Sequence, residues 1–181
     1  MYLNNLRKLF AYYRSLGEKA MQQVTDGQLF FLPNENSNSI AIIVQHMAGN
    51  MLSRFTNFLT EDGEKPWRNR DAEFETVITT KEDLWKQWNE GWACFENALN
   101  SLQDNDLEKI IYIRNEGHTV MEALNRQLAH YAYHTGQMIY VAKMLSNENW
   151  NSLSIPKNQS QQFNQEKFAQ EKRDHFFTDN Q

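Results

Sequence analysis

In the run Leu128-Ala-His130-Tyr-Ala-Tyr-His134-Thr-Gly-Gln-Met138, two histidines stand four residues apart within helical periodicity. Residues at that spacing share one helix face, one turn above the other. Small or apolar residues at Ala123, Met138 and Val141 lie on the same line, with Gln127. The two imidazoles should therefore point into the protein. A third imidazole is available at His46, at the edge of the stripe Ile40, Val44, Met47, Met51, Phe55 and Phe58.

Three neutral imidazoles on two helices have the makings of a site for a divalent transition metal. Zinc and nickel lead the expectation, followed by manganese and iron. Three protein ligands leave an open position, the pattern of a catalytic metal rather than a structural one. Water held there titrates near about 7, and a thiol is deprotonated in the same way. Each ring's second nitrogen needs an acceptor, and Asn50 and Gln127 are placed for it by spacing. Free histidine titrates near ~6.5, so protons should displace the metal below that region. The plainer alternative is that a buried histidine bonds to a neighbour. Spacing is necessary for a metal but not sufficient.

Other reactive residues read as ordinary. Cys94, among Trp92, Ala93 and Phe95, is expected to be a buried, inert thiol. His118 falls in a turn, solvated or capping, and His175 in a polar tail. Arg68, Arg70 and Asp71 could reach a pocket mouth, but loop charges are usually solvated. Glu122 and Arg126 have the spacing of a surface pair.

The elements that must hold these residues are helices. Leu3, Leu6, Phe10, Tyr13, Leu16 and Ala20 predict a first helix over 3–24. A second is predicted over 39–59. Leu84, Trp88, Trp92, Phe95 and Leu99 give a third over 80–102, opened by Thr80-Lys-Glu-Asp83. Thr119-Val-Met-Glu122 is a capping box opening a fourth over 120–145. Residues 61–79 form a long second connection, of the kind used as a lid or crossover. Ile110-Ile-Tyr-Ile113 followed by Asn115-Glu-Gly117 predicts a small two-stranded hairpin. Beyond it, Trp150, Leu153 and Ile155 could pack back, and a short polar helix fits 161–173. Four long amphipathic segments predict an all-α four-helix bundle. Residues 1–155 form the domain and 156–181 a polar tail.

The early histidine, the late pair with Gly136-Gln137 after it, Arg70-Asp-Ala-Glu-Phe-Glu75 and Ser154-Ile-Pro-Lys157 occur in an order that resembles the DinB/YfiT-like family of proposed metal-dependent enzymes. The last two motifs are similar to an uncharacterised bacterial branch. The resemblance covers roughly the first 155 residues. It implies an up-down-down-up bundle with metal ligands His46, His130 and His134. It also implies a transferase that uses a low-molecular-weight thiol, or a hydrolase, acting on a small electrophile.

Composition narrows the field further. The 181 residues suffice for one domain. Eighteen Lys and Arg against 23 Asp and Glu give a net charge of −5, without the basic face of a nucleic-acid binder. The single cysteine forbids an intramolecular disulfide and fits a reducing cytoplasm. No stretch approaches the ~20 apolar residues of a membrane span. Exposed aromatics offer a homodimer face. The competing function class is a non-catalytic, metal-binding or stress-associated module working through partners.

Overall fold

The computed structural model describes residues 2–174 and residue 178. His175, expected in an exposed tail, lies outside the described residues. Four long helices, α1 (Tyr2–Met21), α3 (Ile40–Phe55), α4 (Lys81–Ser101) and α5 (Val120–Ser146), surround one core. The described residues also form two short helices, α2 (Asp26–Leu29) and α6 (Ser160–Phe168), a hairpin of β1 (Ile110–Ile113) and β2 (Glu116–Thr119), and three 3-10 turns. The closest helix pairs are α3 with α4 and α1 with α5; α3–α5 and α1–α4 contacts close the ring.

The core is aromatic at its centre. Phe10, Trp88, Trp92, Phe95 and Tyr131 are all buried, and their rings meet edge to face. Phe10 and Phe95 lie 4.4 Å apart, Phe95 and Tyr131 5.7 Å. Such pairs add about 0.5–1.5 kcal/mol beyond their buried area. The phenol of Tyr131 is satisfied by donating to Asn50 Oδ1 at 3.1 Å.

Helix α3 differs from the others, because 14 of its 16 residues are buried and it has no solvated stripe. It can lie so deep because Gly91 of α4 lets the backbones meet: a Cβ there would stand 2.8 Å from Ala48 Cα. Ser39 caps α3 by accepting from the Ile42 amide at 3.2 Å. Thr80 and Thr119 cap α4 and α5 through the amides of Asp83 and Glu122. Glu122 reaches back to the Thr119 amide at 2.9 Å, so its task is the capping box and not a pair with Arg126.

Several boundaries differ from the periodicity reading. The first helix stops at Met21, and α2 lies in the interval between the first two predicted helices. The second helix ends at Phe55, since Asn57 takes φ 51° and turns the chain. The hairpin pairs Ile110 with Thr119 and Ile113 with Glu116. Its two-residue turn puts Arg114 (φ 57°) and Asn115 (φ 61°) in the left-handed region. Asp62 holds that turn, accepting from the amides of Arg114 at 2.9 Å and Asn115 at 2.8 Å. His118, expected in a turn, is half-buried on β2. Cys94 is half-buried rather than enclosed, with Thr56 Oγ1 at 3.6 Å from its sulfur. Trp150 and Leu153 pack on the core, whereas Ile155 is exposed. Among the described residues no helix is long and apolar enough to cross a membrane.

Candidate metal centre

His46 on α3 and His130 and His134 on α5 meet where the two helices face each other. His130 Nε2 lies 3.0 Å from His134 Nε2 and 3.3 Å from His46 Nε2. All three ligand atoms fall within 4.8 Å of one another. Around a zinc-sized ion with nitrogens at about 2.0–2.1 Å, ligand atoms stand about 2.9–3.4 Å apart for angles of roughly 90–110°. The two spacings to His130 lie in that range, while the His46–His134 pair, at up to 4.8 Å, is wider and would have to draw in around an ion. His46 and His134 are buried; His130 is half-buried and forms the open side.

The tautomers follow from what the outer nitrogens touch. His46 Nδ1 is 2.9 Å from Glu73 Oε2. A carboxylate only accepts, so Nδ1 carries the proton and Nε2 presents a lone pair inward. His134 Nδ1 donates to Gln137 Oε1 at 2.8 Å, and Gln137 Nε2 donates to the Tyr133 hydroxyl at 2.9 Å. The inward nitrogen of His134 is therefore also a lone pair. At most one proton, on His130, can lie among the three nitrogens, since His130 Nε2 stands 3.0 Å and 3.3 Å from the other two. Converging lone pairs repel, and a cation relieves that repulsion. The donor set fits a divalent transition metal on chemistry, and two of its three spacings fit as they stand.

Glu73 is the residue that pattern reading missed. It sits in a single 3-10 turn (Asp71–Phe74) within the long connection and is only 6% exposed. Arg68 grips it with two bonds, Nε to Oε1 at 2.7 Å and Nη2 to Oε2 at 2.9 Å. Burial alone would raise the Glu73 pKa, but the bonds from His46 and Arg68 outweigh it and hold the carboxyl below its usual value. Arg68 also contacts Glu64 Oε2 at 3.3 Å, and Glu64 meets Arg54 at 3.0 Å. Of the loop charges read as solvated, Arg68 is therefore buried in a network, whereas Arg70 and Asp71 are exposed as expected.

The connection is bound down as a strap. The Gln45 amide donates to the carbonyls of Ala72 (2.9 Å) and Glu75 (3.2 Å) and accepts from the Ile78 amide. Phe74 lies against the His46 ring at 4.8 Å between centroids, and the Arg70 guanidinium stands over the Phe74 ring at 5.3 Å. Gly49 makes room for the strap: a Cβ there would overlap Glu73 Oε1 and come within 2.8 Å of its Cδ.

Two expected acceptors are placed elsewhere. Asn50 takes the Tyr131 hydroxyl, and Gln127 is buried with an Oε1 that has no partner among the described residues. The expected titration changes too. Burial first, then repulsion from the neighbouring imidazoles, lowers His130 to about 3. Burial lowers His134 to about 4 against the raising effect of Gln137. Protons therefore compete for these two rings well below the ~6.5 of a free histidine.

The model of a family described as "Protein of unknown function (DUF1572)" matches residues 1–159. Comparison with curated proteins and with solved structures finds no match.

Proposed function

We propose a metal-dependent enzymatic function for this chain, which belongs to the family described as "Protein of unknown function (DUF1572)", a DinB-like family. In this reading His46, His130 and His134 hold a divalent transition metal, zinc or nickel first. A small electrophilic molecule is attacked there by a low-molecular-weight thiol or by water. The up-down-down-up helix order, a domain ending near residue 155 and a cytoplasmic setting belong to the same proposal.

The observation that carries it is the fixing of two lone pairs inward by Glu73 and Gln137. A bound metal with three imidazole ligands keeps a position open and there lowers the pKa of water or thiol toward neutrality. The chain's own residues supply the rest. Glu73 makes His46 a stronger donor and fixes its ring plane. Its oxygens are engaged by Arg68 and His46 and its pKa is lowered, so it orients rather than accepts a proton. Phe74 covers one face of His46 and keeps water from it.

Metal analysis of protein purified without chelator or nickel resin, followed by zinc titration of stripped protein, tests this reading. One equivalent of metal lost in His130→Ala supports it. Negligible metal and no saturable zinc binding would favour the non-catalytic module.

A further inference from the structure

A cavity of about 670 Å³ lies beside His134 rather than over the three histidines, between residues 33–38 and the outward face of α5. Its lining is unusual for this chain. Charged residues are 23% of the sequence, yet among the described residues that line the cavity there is no Asp, Glu, Lys, Arg or His. Polar groups are present, but all are neutral: carboxamides such as Asn36 and Asn38, a serine, and two tyrosine hydroxyls.

The α5 wall has a definite shape. Tyr133 and Tyr140 are seven residues apart, about 10.5 Å along the axis on the same face. Their side chains are unburied for aromatics, at 61% and 72% exposure. Between them Gly136 leaves a gap, where a Cβ would meet nothing within 4 Å. This wall is also tied to the histidines. The Tyr133 hydroxyl accepts from Gln137, whose other end accepts from His134.

We propose that this groove binds an uncharged, ring-bearing small molecule whose edge offers amide- or hydroxyl-type donors and acceptors. A flat ring stacks on the exposed tyrosines. Carboxamides present a donor and an acceptor side by side, which matches such an edge in pairs. A charged ligand would be partly desolvated with no opposite charge to meet it. The groove stands as a binding site on its own. Its role as the seat of the substrate, one end directed at His134, rests on the metal-site reading above.

Neutral nucleosides and neutral glycosides share this chemistry, and matched probes separate them. Full-length protein, stripped and zinc-loaded, is titrated by equilibrium dialysis and ligand-observed NMR. The neutral probes are uridine and 4-nitrophenyl β-glucoside. Their charged counterparts are uridine 5′-monophosphate and 4-nitrophenyl β-glucuronide. The expected result is saturable binding of at least one neutral probe, about tenfold or more tighter than its charged counterpart. Gly136→Trp should fill the gap and abolish binding, and Tyr140→Ala should weaken it about tenfold. Both positions face solvent, so circular dichroism should be unchanged. Zinc affinity, measured in parallel, should be unchanged as well, which separates failure of the groove from failure of the metal site. Absence of saturation by both neutral probes, equal binding of the charged ones, or wild-type binding by both variants overturns the proposal.

Discussion

Replacing Glu73 by glutamine keeps the shape of the side chain and removes its charge. In the native protein the carboxylate accepts two bonds from Arg68 and one from His46. Glutamine has one acceptor oxygen. If Arg68 keeps it, an N–H faces His46 Nδ1, and the ring must move its proton to Nε2, the nitrogen aimed at the cluster. Loss of an outer partner of this kind weakens metal binding by about 10–100-fold, which is about 1.4–2.8 kcal/mol. Stability falls too. Breaking a buried ion pair costs about 3–5 kcal/mol, but Arg68 retains Glu64 at 3.3 Å. We take about 2–3 kcal/mol, which for a chain of this length lowers Tm by about 5–10 °C. The assay is zinc titration of stripped protein against a chromophoric chelator, with thermal melts alongside. Glu75→Gln, on the exposed side of the same strap, is the control and should match wild type. A folded Glu73→Gln protein that binds zinc within twofold of wild type would refute the orienting role.

Metal-free protein should lose stability on acidification because of the histidine pair. The unfolded rings titrate near ~6.5, and burial lowers the folded ones to about 3 and about 4. Below pH 6.5 the unfolded chain binds protons that the folded chain refuses, so this stability is full above that pH and drains as pH falls toward 4 and 3. At pH 5 the ceiling is about 2 kcal/mol per ring; partial exposure to solvent leaves roughly half. Urea melts of stripped protein at pH 7.5 and 5.0 should show this loss, reduced in His130→Ala; an equal loss in both proteins would contradict it. Gly49→Ala should reduce zinc affinity by about tenfold through displacement of Glu73, although alanine in an ordinary helix interior stabilises; unchanged affinity in the same titration would mean that the strap yields without moving the carboxylate. Asp62→Asn should lower stability by about 1–2 kcal/mol through the hairpin turn, with zinc affinity intact; a melt equal to wild type would show that the turn does not need the carboxylate.

The helices were legible because each long one buries a stripe at three- and four-residue spacing. Trp88, Trp92, Phe95 and Leu99 are all buried as their periodicity predicts. The histidine spacing was legible for the same reason, since a helix fixes which residues share a face. Glu73 was not, because a 3-10 turn in a 25-residue connection has no period to read. Its only signal was a cluster of alternating charge and aromatic residues, Arg70 to Glu75, which solvated loops also show. Asn50 and Gln127 failed as partners for a related reason. Spacing along a helix places a Cβ, but the choice between Tyr131 and a histidine ring depends on how α3 and α5 cross. The depth of α3 was half visible in its apolar run Ile40 to Val44, while the burial of Gln45, Ser53 and Arg54 depends on what the strap brings to them.

Helix α3, which carries His46, is enclosed on nearly every side by α4, α5 and the strap. The three nitrogens come together only where α3 and α5 are both in place, so the expectation is that the metal binds after the helices assemble. The half-buried side at His130 is the expected route of loading. In a refolding experiment, zinc should leave the folding rate unchanged and slow unfolding, the kinetic mark of contacts made after the main barrier.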